Sequence, residues 1–169
     1  MSEVLRFPAE WEQAEAVLLA WPHQDTDWAY MLDDVRKTYG HIICALSQHV
    51  KVLVIGPEQP GAEYLPDDTV TENIIYVEMP TNDTWTRDYG PLTVDVDGLA
   101  ALVDFQFNGW GLKFASDKDN LATMRLCEAG IFKAPRINRL SFTLEGGSVE
   151  SDGKGLLITT ADCLMSPNR

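Results

Sequence analysis

Two short apolar runs flank a helical stretch, and that succession limits what the rest of the chain can become. AVLLAW (residues 16–21), closed by Pro22, has the length and continuity of a buried strand. VKVLVIG (residues 50–56) repeats the pattern before Gly56 and Pro57 end it. Between them Trp28, Met31, Leu32, Val35, Tyr39, Ile42, Ile43 and Leu46 recur at steps of three and four. That spacing predicts one long helix with an apolar stripe, with Asp25, Thr26 or Asp27 available as its cap. Strand, helix and strand in succession place the chain in the α/β class. Its 169 residues, 45% hydrophobic, suffice for one domain with a sizeable core, and no linker-like stretch divides 1–169.

The remaining pattern extends this frame. Residues 57–72, rich in proline and acids, read as a loop with one irregular helical turn, and NIIYVEMP (73–80) as a third strand. LTVDVDGLAALVDFQF (92–107) alternates and breaks at Asp97-Gly98, a hairpin signal. A second helix is expected over Ser116 to Glu128, with Leu121, Met124, Leu126 and Ile131 as its stripe and Gly130 as its stop. RINRLSFTLEGGSVESDGKGLLITT (136–160) holds two or three strands, interrupted at Gly146-Gly147 and at the Asp152-Gly153 turn. The order suggests a unit of two strands, a helix and a strand occurring about twice, without a visible sequence repeat.

Charge narrows the partners. With 26 acidic and 13 basic residues the formal charge is -13, which repels phosphate backbones and anionic lipid and tolerates cations. Neither nucleic acid nor a membrane surface is an expected partner. Cys44, Cys127 and Cys163 sit among apolar neighbours and read as buried free thiols. No CxxC pair occurs, and His23, His41 and His49 lack zinc-type spacing with the cysteines, so no metal is expected. No signal-like N-terminus or membrane-length apolar run is present, and cytoplasm is the expected location.

Two constellations stand out against this background. TNDTWTRDYGP (81–91) follows the third strand, where polar groups collect at a sheet's rim. Asn82 and Asp83 can shape the turn, and Gly90-Pro91 fixes its exit. If the stretch is extended, Arg87 and Asp88 point to opposite faces and cannot pair. Asp88 facing inward then needs another cation, for which a planar guanidinium is the best geometric match, and Trp85 could supply a flat wall. The alternative is structural: Asp88 caps a turn and Trp85 belongs to the core. In LEGGSVE (144–150), Glu145 follows an apolar strand and precedes two glycines that allow close backbone approach. Such an acid is partly desolvated and needs a hydrogen-bond donor or a raised pKa; the alternative is a β-bulge with an exposed acid.

Together EAVLLAWPH with DTDW, NDTWTRDYGP, FNGWGLKF, LEGGSVESDGKGLLITT and CLMSPNR, in that order from about Glu15 to Arg169, resemble one family. It is the agmatine deiminase and bacterial peptidylarginine deiminase family of guanidine-modifying hydrolases. The resemblance implies a pentein fold, an α/β propeller of five ββαβ modules around a central site, of which this chain would form about half. It implies that a cysteine attacks the guanidinium carbon, ammonia leaves, and water hydrolyses the thioether, with histidine as acid and base and no cofactor or metal. By motif, Asp88 would grip the substrate guanidinium, Trp85 would wall the pocket, and Glu145 would orient the catalytic histidine. The favoured substrate is agmatine, giving N-carbamoylputrescine in putrescine biosynthesis. Peptidyl-arginine, free arginine, and a non-catalytic half-propeller binding or assembly module are the alternatives.

The chain also departs from the family. The catalytic histidine, in a Gly-His-x-Asp stretch, and the nucleophilic cysteine are expected beyond Arg169; no histidine follows Glu145, and Cys163 matches a non-catalytic motif position. The expectation is therefore an N-terminal half with part of the active site, inactive alone, whose exposed propeller edges favour homo-oligomers. Leu112 stands where many relatives are expected to have glycine.

Overall fold

The apolar runs become the strands of a parallel sheet. In the computed structural model, which describes residues 5–169, the chain proceeds through β1 (Leu5–Arg6), β2 (Ala16–Ala20), α1 (Leu32–Ser47), β3 (Lys51–Gly56), β4 (Ile74–Glu78) and a short α2 (Thr86–Tyr89). It continues through β5 (Leu92–Val96), β6 (Leu99–Gln106), a four-residue turn α3 (Gly109–Leu112), α4 (Ala122–Glu128), β7 (Arg136–Thr143), β8 (Val149–Ser151), β9 (Leu157–Thr159) and α5 (Ala161–Leu164). The architecture is mixed α/β. The elements fall into two units, Gln13–Thr86 and a second that joins the residues up to Glu12 with Arg87–Arg169.

In Gln13–Thr86 the sheet order is β2-β3-β4, all parallel. Every residue of β3 after Lys51 is buried, as its unbroken apolar run requires of a central strand. Trp21, Ile43, Val52 and Val54 form the core cluster, with Tyr39 and Leu46 of α1 packed on it. Burying side chains of this size contributes about 1.5–3 kcal/mol each. The helix begins differently from the sequence expectation. Asp25, Thr26 and Asp27 do not cap it: α1 has Met31 at its N-cap position with no side-chain bond, and Thr26 Oγ1 donates to the His23 carbonyl. A 3-10 turn at Ala29–Met31 precedes α1, and its i→i−3 bonds satisfy N–H groups that a capping oxygen would otherwise take. Asp33 and Asp34 in the first helical turn face the positive end of the dipole. The 57–72 loop carries one 3-10 turn, Ala62–Tyr64, as expected, and a second at Thr71–Asn73 leads into β4.

The second unit has the sheet order β1-β5-β6-β7. β5 and β6 are antiparallel through Asp97-Gly98, whose positive φ angles of 52° and 86° are those of a tight hairpin turn. β6 and β7 are parallel, with α4 between them in sequence. Gly130 ends α4 as expected: its N–H donates to the Cys127 carbonyl and that of Ile131 to Leu126, the paired bonds of a Schellman cap. The helix itself is shorter than expected, because an Asp119–Leu121 3-10 turn replaces its beginning. In chain order two strands, a helix and a strand therefore occur twice, as β1-β2-α1-β3 and as β5-β6-α4-β7, although β1 pairs in the sheet of the second unit. The other unit runs strand, helix, strand, strand.

All three cysteines are free; Cys44 is buried and its thiol donates to Asp68, whereas Cys127 and Cys163 are half-buried. Among the described residues no helix is long and apolar enough to cross a membrane.

Candidate functional site

The turn after β4 is folded around buried polar groups. Asp83 Oδ1 accepts the Thr84 backbone N–H at 2.7 Å, the local bond expected of an aspartate that shapes a turn. Trp28 Nε1 donates to Thr84 Oγ1 at 2.9 Å. His23 is 4% exposed, and its Nε2 lies 3.0 Å from Thr81 Oγ1 while its Nδ1 accepts the Asp25 N–H. Burial pushes the Asp83 carboxyl up, and Asp27 adds to the rise; the Thr84 bonds and His23 oppose it. Sequence reasoning did not promote His23 to a site residue, although it closes the quoted motif EAVLLAWPH. Trp85 does not belong to the core: it is 49% exposed, and its ring lies 6.1 Å from that of Trp28, tilted by 40°.

Arg87 and Asp88 lie on α2, so they are successive residues of a helical turn and not of an extended stretch. A rotation of about 100° per residue still separates them. Arg87 pairs with Glu10 and also reaches the Val149 carbonyl at 3.4 Å. Asp88 turns elsewhere. Its Oδ2 accepts the indole N–H of Trp110 at 3.2 Å, and its Oδ1 accepts the backbone N–H of Gly147 at 3.2 Å. The second bond serves the 3-10 turn Gly146–Ser148, so the capping role is partly present. Among the described residues Asp88 has no ion-pair partner.

Trp110 reaches Asp88 from an unusual backbone. Gly109, Trp110, Gly111 and Leu112 have φ of 66°, 55°, 82° and 66°, four successive residues in the left-handed region. For a residue with a Cβ this costs about 1–2 kcal/mol. Leu112, at the position where glycine was expected, is 72% exposed, so its strain is not offset by burial of its side chain. Asn108 Oδ1 accepts the Gly111 N–H, Asn108 Nδ2 donates to the Asn168 carbonyl, and Asn168 Nδ2 donates to the Gly111 carbonyl. Phe107 and Phe114 confine the indole, with centroids 5.0 and 5.6 Å away.

Glu145 is 2% exposed, which removes the reading of a bulge with an exposed acid. Its Oε1 lies 3.0 Å from Arg169 Nη2. The contact is an ion pair rather than an aligned hydrogen bond, since Oε1 has no donor at hydrogen-bonding geometry among the described residues. Burial pushes the Glu145 carboxyl up; Arg169 opposes this and Asp88 reinforces it. Glycines allow the close approach here: a Cβ at Gly147 would displace the Asp88 carboxylate, and one at Gly146 would overlap the Arg87 carbonyl.

One unit thus brings together Asp88 and Glu145 with Trp110, Gly147 and Arg169, while Trp85 lies in the other. Trp110 and Arg169 were not singled out as site residues, although both fall inside quoted motifs, FNGWGLKF and CLMSPNR.

The family model described as Porphyromonas-type peptidyl-arginine deiminase matches residues 6–169. A Porphyromonas gingivalis structure, provisionally assigned as an arginine deiminase, is 44% identical with a TM-score of 0.88, over 98% of this chain and 50% of that one. The C. jejuni agmatine deiminase, a cysteine-to-serine variant with substrate bound, is 33% identical with a TM-score of 0.86, over 99% of this chain and 49% of that one. A Pectobacterium atrosepticum relative, provisionally named as an agmatine deiminase, is 33% identical over 173 residues, 96% of this chain and 44% of its own length. The chain spans about half the length of the relatives it matches.

Proposed function

Because the chain belongs to the Porphyromonas-type peptidyl-arginine deiminase family, we propose that it supplies the guanidinium-binding part of a hydrolase that deiminates agmatine. The products are N-carbamoylputrescine and ammonia, and the setting is cytoplasmic putrescine formation. The observation that carries this reading is the state of Asp88: a carboxylate gripped by two neutral N–H donors and, among the described residues, left without a cation, with Arg87 committed to Glu10. A planar cation with paired N–H donors is the complement of such a group.

In this reading Asp88 receives the guanidinium, and Trp85, with half its surface open, keeps an aromatic face available to a cation. A cysteine thiolate outside these 169 residues adds to the guanidinium carbon, ammonia departs with a proton from a histidine, and water then displaces the thiolate to give the carbamoyl product. Glu145 orients that histidine. Its buried Oε1, without an aligned donor among the described residues, is an acceptor that an imidazole N–H would satisfy. In this reading residues 1–169 are part of one propeller-type catalytic domain. Leu156, Leu157, Ile158 and Met165, all more than half exposed, support this, because a solvent-facing apolar row calls for a covering partner. The same row favours a second reading, an assembly module that pairs with another copy.

Calorimetric titration of agmatine into the 169-residue protein tests the proposal, with ammonia measured in parallel. Weak binding without ammonia release is expected, and Asp88→Asn should reduce the affinity at least tenfold, the scale of a lost charge-assisted pair. Absence of binding, or binding that Asp88→Asn leaves unchanged, would overturn the assignment. Self-association without agmatine binding would favour the assembly module.

A further inference from the structure

We propose that Trp110 is a positioning residue for Asp88, its indole N–H fixing the side-chain rotamer that aims the carboxylate, and that the left-handed turn Gly109–Leu112 is retained to deliver that indole. The inference rests on reading Asp88 as the acceptor of a guanidinium.

A carboxylate on a short side chain can rotate about two bonds, and a bidentate partner needs both oxygens in one orientation. Asp88 is held at both: Trp110 Nε1 on Oδ2 and Gly147 N on Oδ1, each at 3.2 Å. Two donors on different oxygens define a plane, where one would leave the group free to swing. Each oxygen keeps lone-pair capacity for a ligand, since a carboxylate oxygen accepts more than one hydrogen bond. Both donors are neutral, so they orient the group without cancelling its charge.

The indole is itself restrained. Phe107 and Phe114 meet Trp110 at 87° and 89°, T-shaped contacts that restrict the ring. The turn that carries it is tied at both ends to the Asn168-Arg169 segment, through the two asparagine amides already described, and Arg169 pairs with Glu145, two residues from Gly147. The contacts close a ring from Asp88 through Trp110, Asn108, Asn168, Arg169 and Glu145 back to Gly147. Local backbone strain that persists in a structure is held there by such surroundings, and it clusters where geometry matters for function. Of the two strained residues with side chains, Trp110 has packing and a hydrogen bond to hold it, whereas Leu112, 72% exposed, has no burial to offset its strain.

Trp110→Phe removes the N–H and keeps most of the aromatic volume. The decisive readout is the Asp88 side-chain rotamer, from Hα–Hβ couplings by NMR on the 169-residue protein. The native chain should show one rotamer and Trp110→Phe an average, with circular dichroism unchanged; a single rotamer retained in Trp110→Phe would overturn the proposal. Agmatine affinity should fall about tenfold, the effect of one hydrogen bond to a charged group. A fall in affinity with the rotamer unchanged would make Trp110 a direct ligand contact and also overturn it. Should Trp110→Phe fail to fold, the indole Nε1–H resonance of the native chain decides: it must shift in Asp88→Asn, and a resonance that stays in place refutes the contact. If the native chain binds no agmatine, the guanidinium reading fails by itself, while the couplings still decide whether Trp110 positions Asp88.

Discussion

Arg36 and Asp88 carry the two halves of one kind of recognition, and the protein treats them in opposite ways. The Arg36 guanidinium in the Gln13–Thr86 unit lies 5.8 Å from the Trp21 centroid and 5.9 Å from that of Tyr64. It donates to the Pro22 carbonyl at 3.0 Å and pairs with Glu58. Planar cation, aromatic faces and carboxylate are all supplied from within, so Arg36 is a fastener between α1 and the end of β2. Asp88 in the other unit has neutral donors and no cation among the described residues. The comparison teaches that this fold can saturate a guanidinium with its own groups where the purpose is structural, and that it leaves the corresponding acid open at the candidate site.

The largest effect that would sharpen this contrast concerns the acid beside Asp88. Arg169→Met should cost about 3–5 kcal/mol at pH 7, the penalty of leaving a buried charge unpaired, measured by urea unfolding. Because the Glu145 pKa is raised in the folded state, its contribution to stability is fully present below the unfolded value and declines as pH rises through the folded one. The loss in Arg169→Met should therefore shrink as pH falls from 7 toward the ordinary glutamate range. A penalty independent of pH would mean that Glu145 is not the group left unpaired.

Next comes the fastener itself. Arg36→Ala should lower stability by about 2 kcal/mol through the lost aromatic and carbonyl contacts, and should leave agmatine affinity as it was. Asp88→Asn should weigh the other way, lowering agmatine affinity at least tenfold while the loss of one of its two accepted hydrogen bonds costs about 1 kcal/mol of stability, less than Arg36→Ala. If Arg36→Ala impaired binding and Asp88→Asn cost more stability than Arg36→Ala, the contrast between fastener and open acid would be broken. The smallest effect is expected at Leu112→Gly. Relief of the left-handed strain should outweigh the added freedom of the unfolded chain and raise stability by about 0.5 kcal/mol, visible as a small rise in Tm.

Much of the scaffold was legible because it depends on neighbours in sequence. The runs at 16–20 and 51–56 had to be strands, though only the second is buried along its length after Lys51, Asp97-Gly98 had to turn, and Gly130 had to stop a helix, each for reasons contained in a few adjacent residues. The start of α1 was misread because a 3-10 turn performs the work of a capping side chain. β1 was missed because two residues carry no periodicity. At the candidate site, Asp88, Glu145 and Trp85 were picked out by type and motif, but the reason offered for the Arg87–Asp88 separation, an extended backbone, was wrong: α2 is a helical turn. The bulge reading at Gly146-Gly147 gave way to a 3-10 turn over a buried acid.

What the amino-acid order determined by itself was the inventory: which segments are strands or helices, which family the motifs resemble, and which acids merit attention. What only the tertiary structure decided was the partnership of those acids. The donors to Asp88 come from residues 22 and 59 positions away, and a hydrogen bond across such a separation depends on how strands and turns stack in three dimensions. Local propensity acts over a few residues and encodes no such distance. The orientation of a carboxylate is set by whatever folding brings against it.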